Sequence, residues 1–88
     1  MFFKVITMEK DLKGNFPVSH TDIWECERVK WEYGEREDKM CLIFTLFKDN
    51  NNYSDSFAFQ LNREQFREAI FIENERGETI ETFNTHRK

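Results

Sequence analysis

The chain has 88 residues, with 13 Lys or Arg, 17 Asp or Glu and a formal net charge of −4. This length accommodates a single domain spanning residues 1–88, and the mixed, net negative charge disfavours direct nucleic-acid binding. The 10 Phe, 2 Trp and 2 Tyr, against only 3 Gly and 1 Pro, predict a folded core built from a few large side chains.

The N-terminus carries no expected targeting signal, because the apolar start at 1–8 is short and charged residues follow it. No apolar run approaches the length of a membrane span, so no membrane partner is expected. The two cysteines, Cys26 and Cys41, do not form a disulfide framework. The sequence therefore predicts a protein of the reducing cytoplasm.

The N-terminal third is predicted to hold two strands. Residues 2–8 are rich in β-formers and predict the first strand, whereas 11–20, which contains Gly and Pro, predicts a loop. Residues 23–33 predict the second strand, but its apolar phase flips between Glu27 and Arg28. One extra residue in a period-2 pattern indicates a β-bulge, and the alternative is two shorter strands.

The middle of the chain predicts a hairpin. Residues 34–38 form a polar turn, and the third strand, 40–48, is apolar on both faces, as is typical of a central strand. The Asp-Asn-rich turn at 49–52 leads into a fourth strand, 53–61. A four-residue loop there predicts three apolar cross-strand pairs. The pairs are Phe44 with Phe57, Leu42 with Phe59, and Met40 with Leu61.

The C-terminal third is predicted to begin with a helix. Asn62 has the character of an N-cap, and apolar residues at helical spacing favour a helix over 63–71, followed by a short hairpin over 71–83. The alternative is a helix that continues to Asn74. The predicted fold class is therefore α+β: an antiparallel meander of four or more strands, one short helix after the fourth strand and a C-terminal hairpin.

No motif predicts catalysis, a metal site or a cofactor. The predicted register separates Cys26 from Cys41, which would lie near Trp31, so both are interpreted as buried thiols. A pairing of His20 with Cys26 lacks an orienting third group. The segment 49–60 resembles a calcium loop only faintly. A calcium loop needs Gly at its sixth position and an acid at its twelfth, and these positions hold Ser54 and Gln60.

Function is inferred from an excess of apolar surface. The third strand offers apolar residues to both faces of the sheet, while one short helix can cover only one. The second face is covered by the chain itself, by a second copy in a homodimer, or by another protein. We therefore expect a small non-enzymatic protein-binding module. The expected contact residues are Trp24, Trp31, Tyr33, Glu35, Glu37 and Asp38.

The role expected for such a module is that of an inhibitor or regulator of a larger protein complex. The Phe- and Asn-rich composition is associated with AT-rich genomes such as those of phages. Carboxylates clustered at 32–38 and 73–81 suggest a second hypothesis, an acidic mimic of nucleic acid, although basic residues are interleaved with them. A small-ligand binder or enzyme is the third hypothesis, and it requires a pocket around His20 or the cysteines.

Overall fold

A computed structural model describes residues 1–50 and 52–87, and in them the chain forms seven β-strands and no helix. The expected α+β class is therefore wrong, and the protein is all-β. The strands are β1 (Phe2–Glu9), β2 (Val18–Glu25), β3 (Arg28–Arg36), β4 (Lys39–Lys48), β5 (Tyr53–Gln60), β6 (Phe66–Glu73) and β7 (Thr79–Asn84).

The strands form two antiparallel sheets rather than one meander. The four-stranded sheet has the order β2-β1-β6-β7, and the three-stranded sheet has the order β3-β4-β5. Their inner faces meet through aromatic rings. The ring centroids of Phe3 on β1 and Phe44 on β4 are 4.9 Å apart, and both side chains are fully buried. The resulting two-layer packing is that of a β-sandwich.

The phase flip in the second predicted strand marks the passage from one sheet to the other. The backbone N–H of Cys26 donates to Met1 O in the four-stranded sheet (2.9 Å), and the next N–H, of Glu27, donates to Phe47 O in the three-stranded sheet (2.8 Å). The β-bulge interpretation is wrong at this point, and the alternative of two shorter strands is confirmed. Because the chain changes sheets here, the side chains facing the core change phase.

The predicted helix over 63–71 is a strand, β6, which pairs with β1 along its whole length. This pairing places Ile70 against Val5 and Ile72 against Phe3 on the inner face. The sequence did not reveal the alternation of inward and outward residues in β6, because the inward position before Ile70 holds a charged residue, Glu68. Long-range pairing with β1 prevails over weak helical periodicity, as is common for segments rich in Ile and Phe.

Glu68 is buried, and Thr85 is its hydrogen-bonding partner. The Glu68 N–H donates to Thr85 Oγ1 (2.8 Å), and the hydroxyl contacts the Glu68 carboxylate oxygen Oε1 at 3.1 Å. Thr85 itself is 1% exposed and follows directly after β7. A buried carboxylate requires such partners, because burial without them costs the full desolvation free energy.

The hairpin of β4 and β5 has the predicted register, with Phe44 opposite Phe57 and Leu42 opposite Phe59. The third predicted contact is present as a hydrogen bond from Leu61 N to Met40 O (3.0 Å). A C-terminal hairpin is also present, but its first strand is the whole of β6.

Two predicted boundaries were wrong. The loop expected over 11–20 is shorter, since β2 begins at Val18. The polar turn of the β3–β4 hairpin contains only Glu37 and Asp38, whose φ angles of 52° and 62° are those of a type I′ turn. Cys41 therefore lies opposite Gly34 and not near Trp31.

Phe44 provides a test of the aromatic core. Its ring contacts the rings of Phe3, Phe59 and Phe83 at centroid distances of 4.9, 5.9 and 5.1 Å. We expect Phe44→Leu to lower the free energy of unfolding by about 1–2 kcal/mol, because it leaves a partly unfilled space and removes the ring contacts. Urea unfolding monitored by circular dichroism measures this loss.

The matched control is Tyr53→Leu, because the Tyr53 side chain is 57% exposed on β5. This substitution is expected to change the free energy of unfolding by less than about 0.5 kcal/mol. Equal losses in the two variants would contradict the assignment of Phe44 to the centre of the core.

Candidate functional site

The predicted contact residues do not form one site. Trp24 belongs to the interior between the sheets, where its ring lies 4.7 Å from that of Phe57 and 5.8 Å from that of Phe3. It is only partly exposed, at the edge of the sandwich formed by β2 and β5. Its aromatic contacts therefore make it a core residue.

Trp31 and Tyr33 form an aromatic patch on β3, an edge strand. They are 43% and 45% exposed, and their ring centroids are 5.9 Å apart. The other side of Trp31 packs edge-on against Phe83 of β7 (5.0 Å). Arg87 donates a hydrogen bond from Nη1 to the Tyr33 hydroxyl (2.8 Å). The patch thus joins the free edges of the two sheets.

Glu35, Glu37 and Asp38 are exposed at the tip of the β3–β4 hairpin, beside this aromatic patch. Arg36 and Lys39, which flank the turn, interrupt their negative charge. The other carboxylate cluster lies on the β6–β7 hairpin, and its Glu75 shares a cavity with residues at the far end of β4. A strand of this length spans roughly 30 Å, so the two clusters form no continuous acidic surface.

The two cysteines are free and separate. Cys26 and Cys41 are 5% and 4% exposed. The backbone N–H of Glu27, the residue after Cys26, donates a hydrogen bond to Phe47 O. Phe47 lies six residues from Cys41 along β4. Six residues of strand span roughly 20 Å, well beyond the reach of a disulfide.

His20 lies on β2 opposite Thr7, far along the strand from Cys26, so no Cys–His pair forms. Its nearest polar neighbours are Ser19 Oγ (3.4 Å from Nδ1) and Asp22 Oδ2 (3.3 Å from Nε2). The side chains of His20 and Asp22 are 57% and 50% exposed on β2, an edge strand.

Within residues 1–50 and 52–87 no group of three or more His, Cys, Asp or Glu side chains could hold a metal ion. The segment compared with a calcium loop includes Asn51, which lies outside the described residues.

A cavity of about 610 Å³ lies at the end of the sandwich where the chain crosses between sheets. Several carboxylates surround it, and the Met1 α-amine pairs with Glu75. Burial raises the pKa of the Cys26 thiol at its base, and the nearby α-amine and Lys48 oppose this shift. A raised thiol pKa reduces the thiolate fraction at neutral pH, which disfavours nucleophilic chemistry. The lining residues are Met1, Glu25, Cys26, Glu27, Lys48, Asp49, Asn74 and Glu75.

The surface that the sequence analysis missed is the outer side of the four-stranded sheet, here called the outer face. Phe3 and Val5 of β1 point into the core, so the alternate residues of β1 point outward. Val18 and Ile23 of β2 extend this surface and are 61% and 59% exposed. The outer face consists of Phe2, Lys4, Ile6, Met8, Val18, Ile23, Ala69 and Phe71, and Glu25 and Glu73 border it on either side of Phe2.

The excess apolar surface is therefore real, but it lies on β1 and not on β4. The second side of β4 is closed locally: Ile43 is only 4% exposed, and its Cδ1 lies 3.1 Å from the position that a Cβ on Gly34 would occupy. Because Gly34 has no side chain, Ile43 can lie across the neighbouring strand, β3. The sequence signal for the outer face was the run 2–8, in which both alternating sets are mostly apolar.

The chain has no match to a family model, to a curated protein or to a solved structure. No helix among the described residues is long and apolar enough to cross a membrane.

The Cys26 environment predicts low thiol reactivity. At pH 8 we expect Cys26 to react with a disulfide reagent such as DTNB at least about tenfold more slowly than a free thiol, because burial both shields it and raises its pKa. The measurement uses Cys41→Ala, in which only Cys26 can react.

Denaturant should restore the full rate in the same variant. Fast, stoichiometric modification of the native Cys41→Ala protein would contradict the buried placement of Cys26.

Proposed function

We propose that the protein is a non-enzymatic protein-binding module that docks through the outer face. The observation that carries this proposal is a contiguous set of apolar side chains that are exposed on β2 and partly exposed on the neighbouring β1 and β6. The accessible surface of the chain is 6179 Å². A compact monomer of 10.8 kDa exposes roughly 5,500 Å². Contiguous apolar patches of this kind mark interaction sites.

Lys4 specifies the chemistry of the partner. It lies at the centre of the outer face between Ile23 and Phe71, one row from the bordering Glu25 and Glu73, and its Nζ is 6.0 Å from the Phe71 ring centroid. No carboxylate of the described residues forms an ion pair with it. Burying an unpaired ammonium is costly. The partner surface is therefore apolar with a carboxylate opposite Lys4.

A second copy of this chain fits less well. Face-to-face pairing of two outer faces about a twofold axis along the strands places the row of Lys4 on itself. That row contains no carboxylate, since it holds Ile23, Lys4, Phe71 and Thr82. A homodimer of this geometry would leave both ammonium groups unpaired, which favours a different protein over it as partner.

The biological role we propose is regulation or inhibition of a larger protein complex in the cytoplasm. A single small domain with a docking surface suits such a role, and the free thiols of Cys26 and Cys41 are compatible with a reducing compartment. The aromatic patch of Trp31 and Tyr33, with the acidic turn beside it, is a second candidate surface, because both rings are more than 40% exposed.

The test is retention of a protein from a lysate of the source cells by tagged bait variants. The wild type and Leu12→Lys are expected to retain the same protein, because Leu12 is a fully exposed aliphatic residue away from the sheets. Ile23→Lys should weaken retention at least about tenfold by placing a charge in the apolar interface. Lys4→Glu should do the same, and Lys4→Arg should retain binding.

Sedimentation equilibrium of the purified wild type is expected to give the mass of one chain. A wild-type dimer that Ile23→Lys dissociates would contradict a foreign partner at the outer face and identify a second copy there. If only Trp31→Ala or Tyr33→Ala loses retention of the partner protein, the binding surface is the aromatic patch and not the outer face. Equal retention by all baits would exclude both surfaces.

A further inference from the structure

A second concave site lies where three loop segments meet, beyond the end of the outer face. The β1–β2 loop, the β5–β6 loop and the segment after β7 surround a cavity of about 430 Å³. Backbone hydrogen bonds hold these segments together: Lys10 N donates to Gln65 O (2.8 Å), and Asn62 N donates to Thr85 O (2.9 Å). Arg87 N also donates to Asn62 Oδ1 (2.7 Å). The walls of the cavity are therefore pre-arranged.

The charge of this cavity is opposite to that of the whole protein. Three permanent cations, Lys10, Arg63 and Arg67, line it, and His86 adds a ring nitrogen donor. Glu64 is the only carboxylate among the described lining residues. The chain as a whole carries a net charge of −4. This cavity is thus a local concentration of positive charge on an acidic molecule.

Both arginines are held by aromatic rings instead of carboxylates. The Arg67 guanidinium carbon lies 3.8 Å from the centroid of the Phe16 ring, and that of Arg63 lies 4.4 Å from the centroid of the Phe66 ring. No ion pair within the described residues involves Lys10, Arg63 or Arg67. Stacking fixes the plane of a guanidinium and leaves its N–H edge free to donate.

Arg67 also has an unsatisfied donor. Its Nε is buried and has no hydrogen-bond acceptor within the part of the chain that the structure describes. A buried donor without an acceptor is uncommon in folded proteins and points to a missing acceptor. Because Nε itself is closed to solvent, an anion in the cavity would reach Arg67 through the terminal nitrogens of its guanidinium, and a planar guanidinium favours tetrahedral oxyanions through paired hydrogen bonds.

We propose that this cavity is a binding site for a phosphate group of a small molecule, with Arg63 and Arg67 as its principal ligands and Lys10 as the supporting charge. The volume exceeds that of a bare phosphate and is within the range of small-molecule sites. The aromatic ring of Phe16, beside Arg67, supplies an apolar wall for the part of the molecule that carries the phosphate.

The test is a titration of the full chain monitored by backbone amide NMR. The probes are inorganic phosphate, pyrophosphate, AMP and ATP, each compared with chloride at matched ionic strength. Saturable shifts are expected at the amides of Asn62, Arg63 and Arg67, and not with chloride. Stronger binding of AMP than of phosphate would identify a nucleotide as the source of the phosphate group, and equal binding would identify the phosphate alone.

Substitutions distinguish a specific phosphate-binding site from a surface that attracts anions through its charge alone. Arg63→Gln should weaken binding at least tenfold and Arg63→Lys less, because lysine keeps the charge but not the paired donors. The matched control is Arg76→Gln on the β6–β7 turn, away from this cavity, which should bind as the wild type does. Equal affinities of Arg63→Gln and Arg76→Gln, or shifts reproduced by chloride, would overturn the proposal. None of these substitutions alters the outer face, so failure here leaves the protein-docking proposal standing.

Discussion

The contact between the Phe3 and Phe44 rings is the interaction on which the rest of the structure depends. The two sheets are joined covalently at the Cys26–Glu27 step and through the β5–β6 loop, so side chains must hold their faces together. Phe44 does so by contacting rings from both sheets, including Phe83 of β7. Because each aromatic side chain buries about 150–250 Å², a few of them suffice for a domain with little alanine.

A sandwich of only two layers has two outer surfaces, and they differ in this protein. On the three-stranded sheet, Ile43 lies over Gly34, and the facing positions on β5 are small residues such as Ser56 and Ala58. That surface needs no further cover. On the four-stranded sheet, β1 turns aromatic and aliphatic residues outward as well as inward, so an apolar surface with Lys4 at its middle stays exposed.

Charge is also distributed unevenly, and this distribution separates the two proposed sites. Carboxylates surround the large cavity at the sheet crossing, together with the Met1 α-amine and Lys48. Arginines held by aromatic rings line the smaller cavity among the loops at the other end of β1. Neither cluster is apparent from the net charge of −4, because residues distant in sequence contribute to each.

The sequence alone was sufficient for the local pairing of β4 with β5. The register of Phe44 with Phe57 followed from one loop length, because a hairpin joins neighbouring segments through a turn whose size sets the pairing. The C-terminal hairpin was predicted from its turn residues, although its first strand begins at Phe66, and the burial of both cysteines followed from their apolar character. Of the predicted contact residues, Trp24 packs in the core, whereas Trp31 and Tyr33 are exposed.

Only the tertiary structure decided which strands share a sheet. A period-2 pattern shows that a strand has two faces but does not identify its partner, so the local sequence of β6 favours a helix and only the pairing with β1 makes it a strand. The outer face and the arginine-lined cavity are likewise not evident from the sequence, because they are assembled from segments far apart in the chain. The sequence by itself determined an aromatic-rich chain with antiparallel hairpins, because those features depend on composition and short-range pairing. The all-β sandwich and its two candidate sites depend on long-range contacts, whose free energy is absent from any local window.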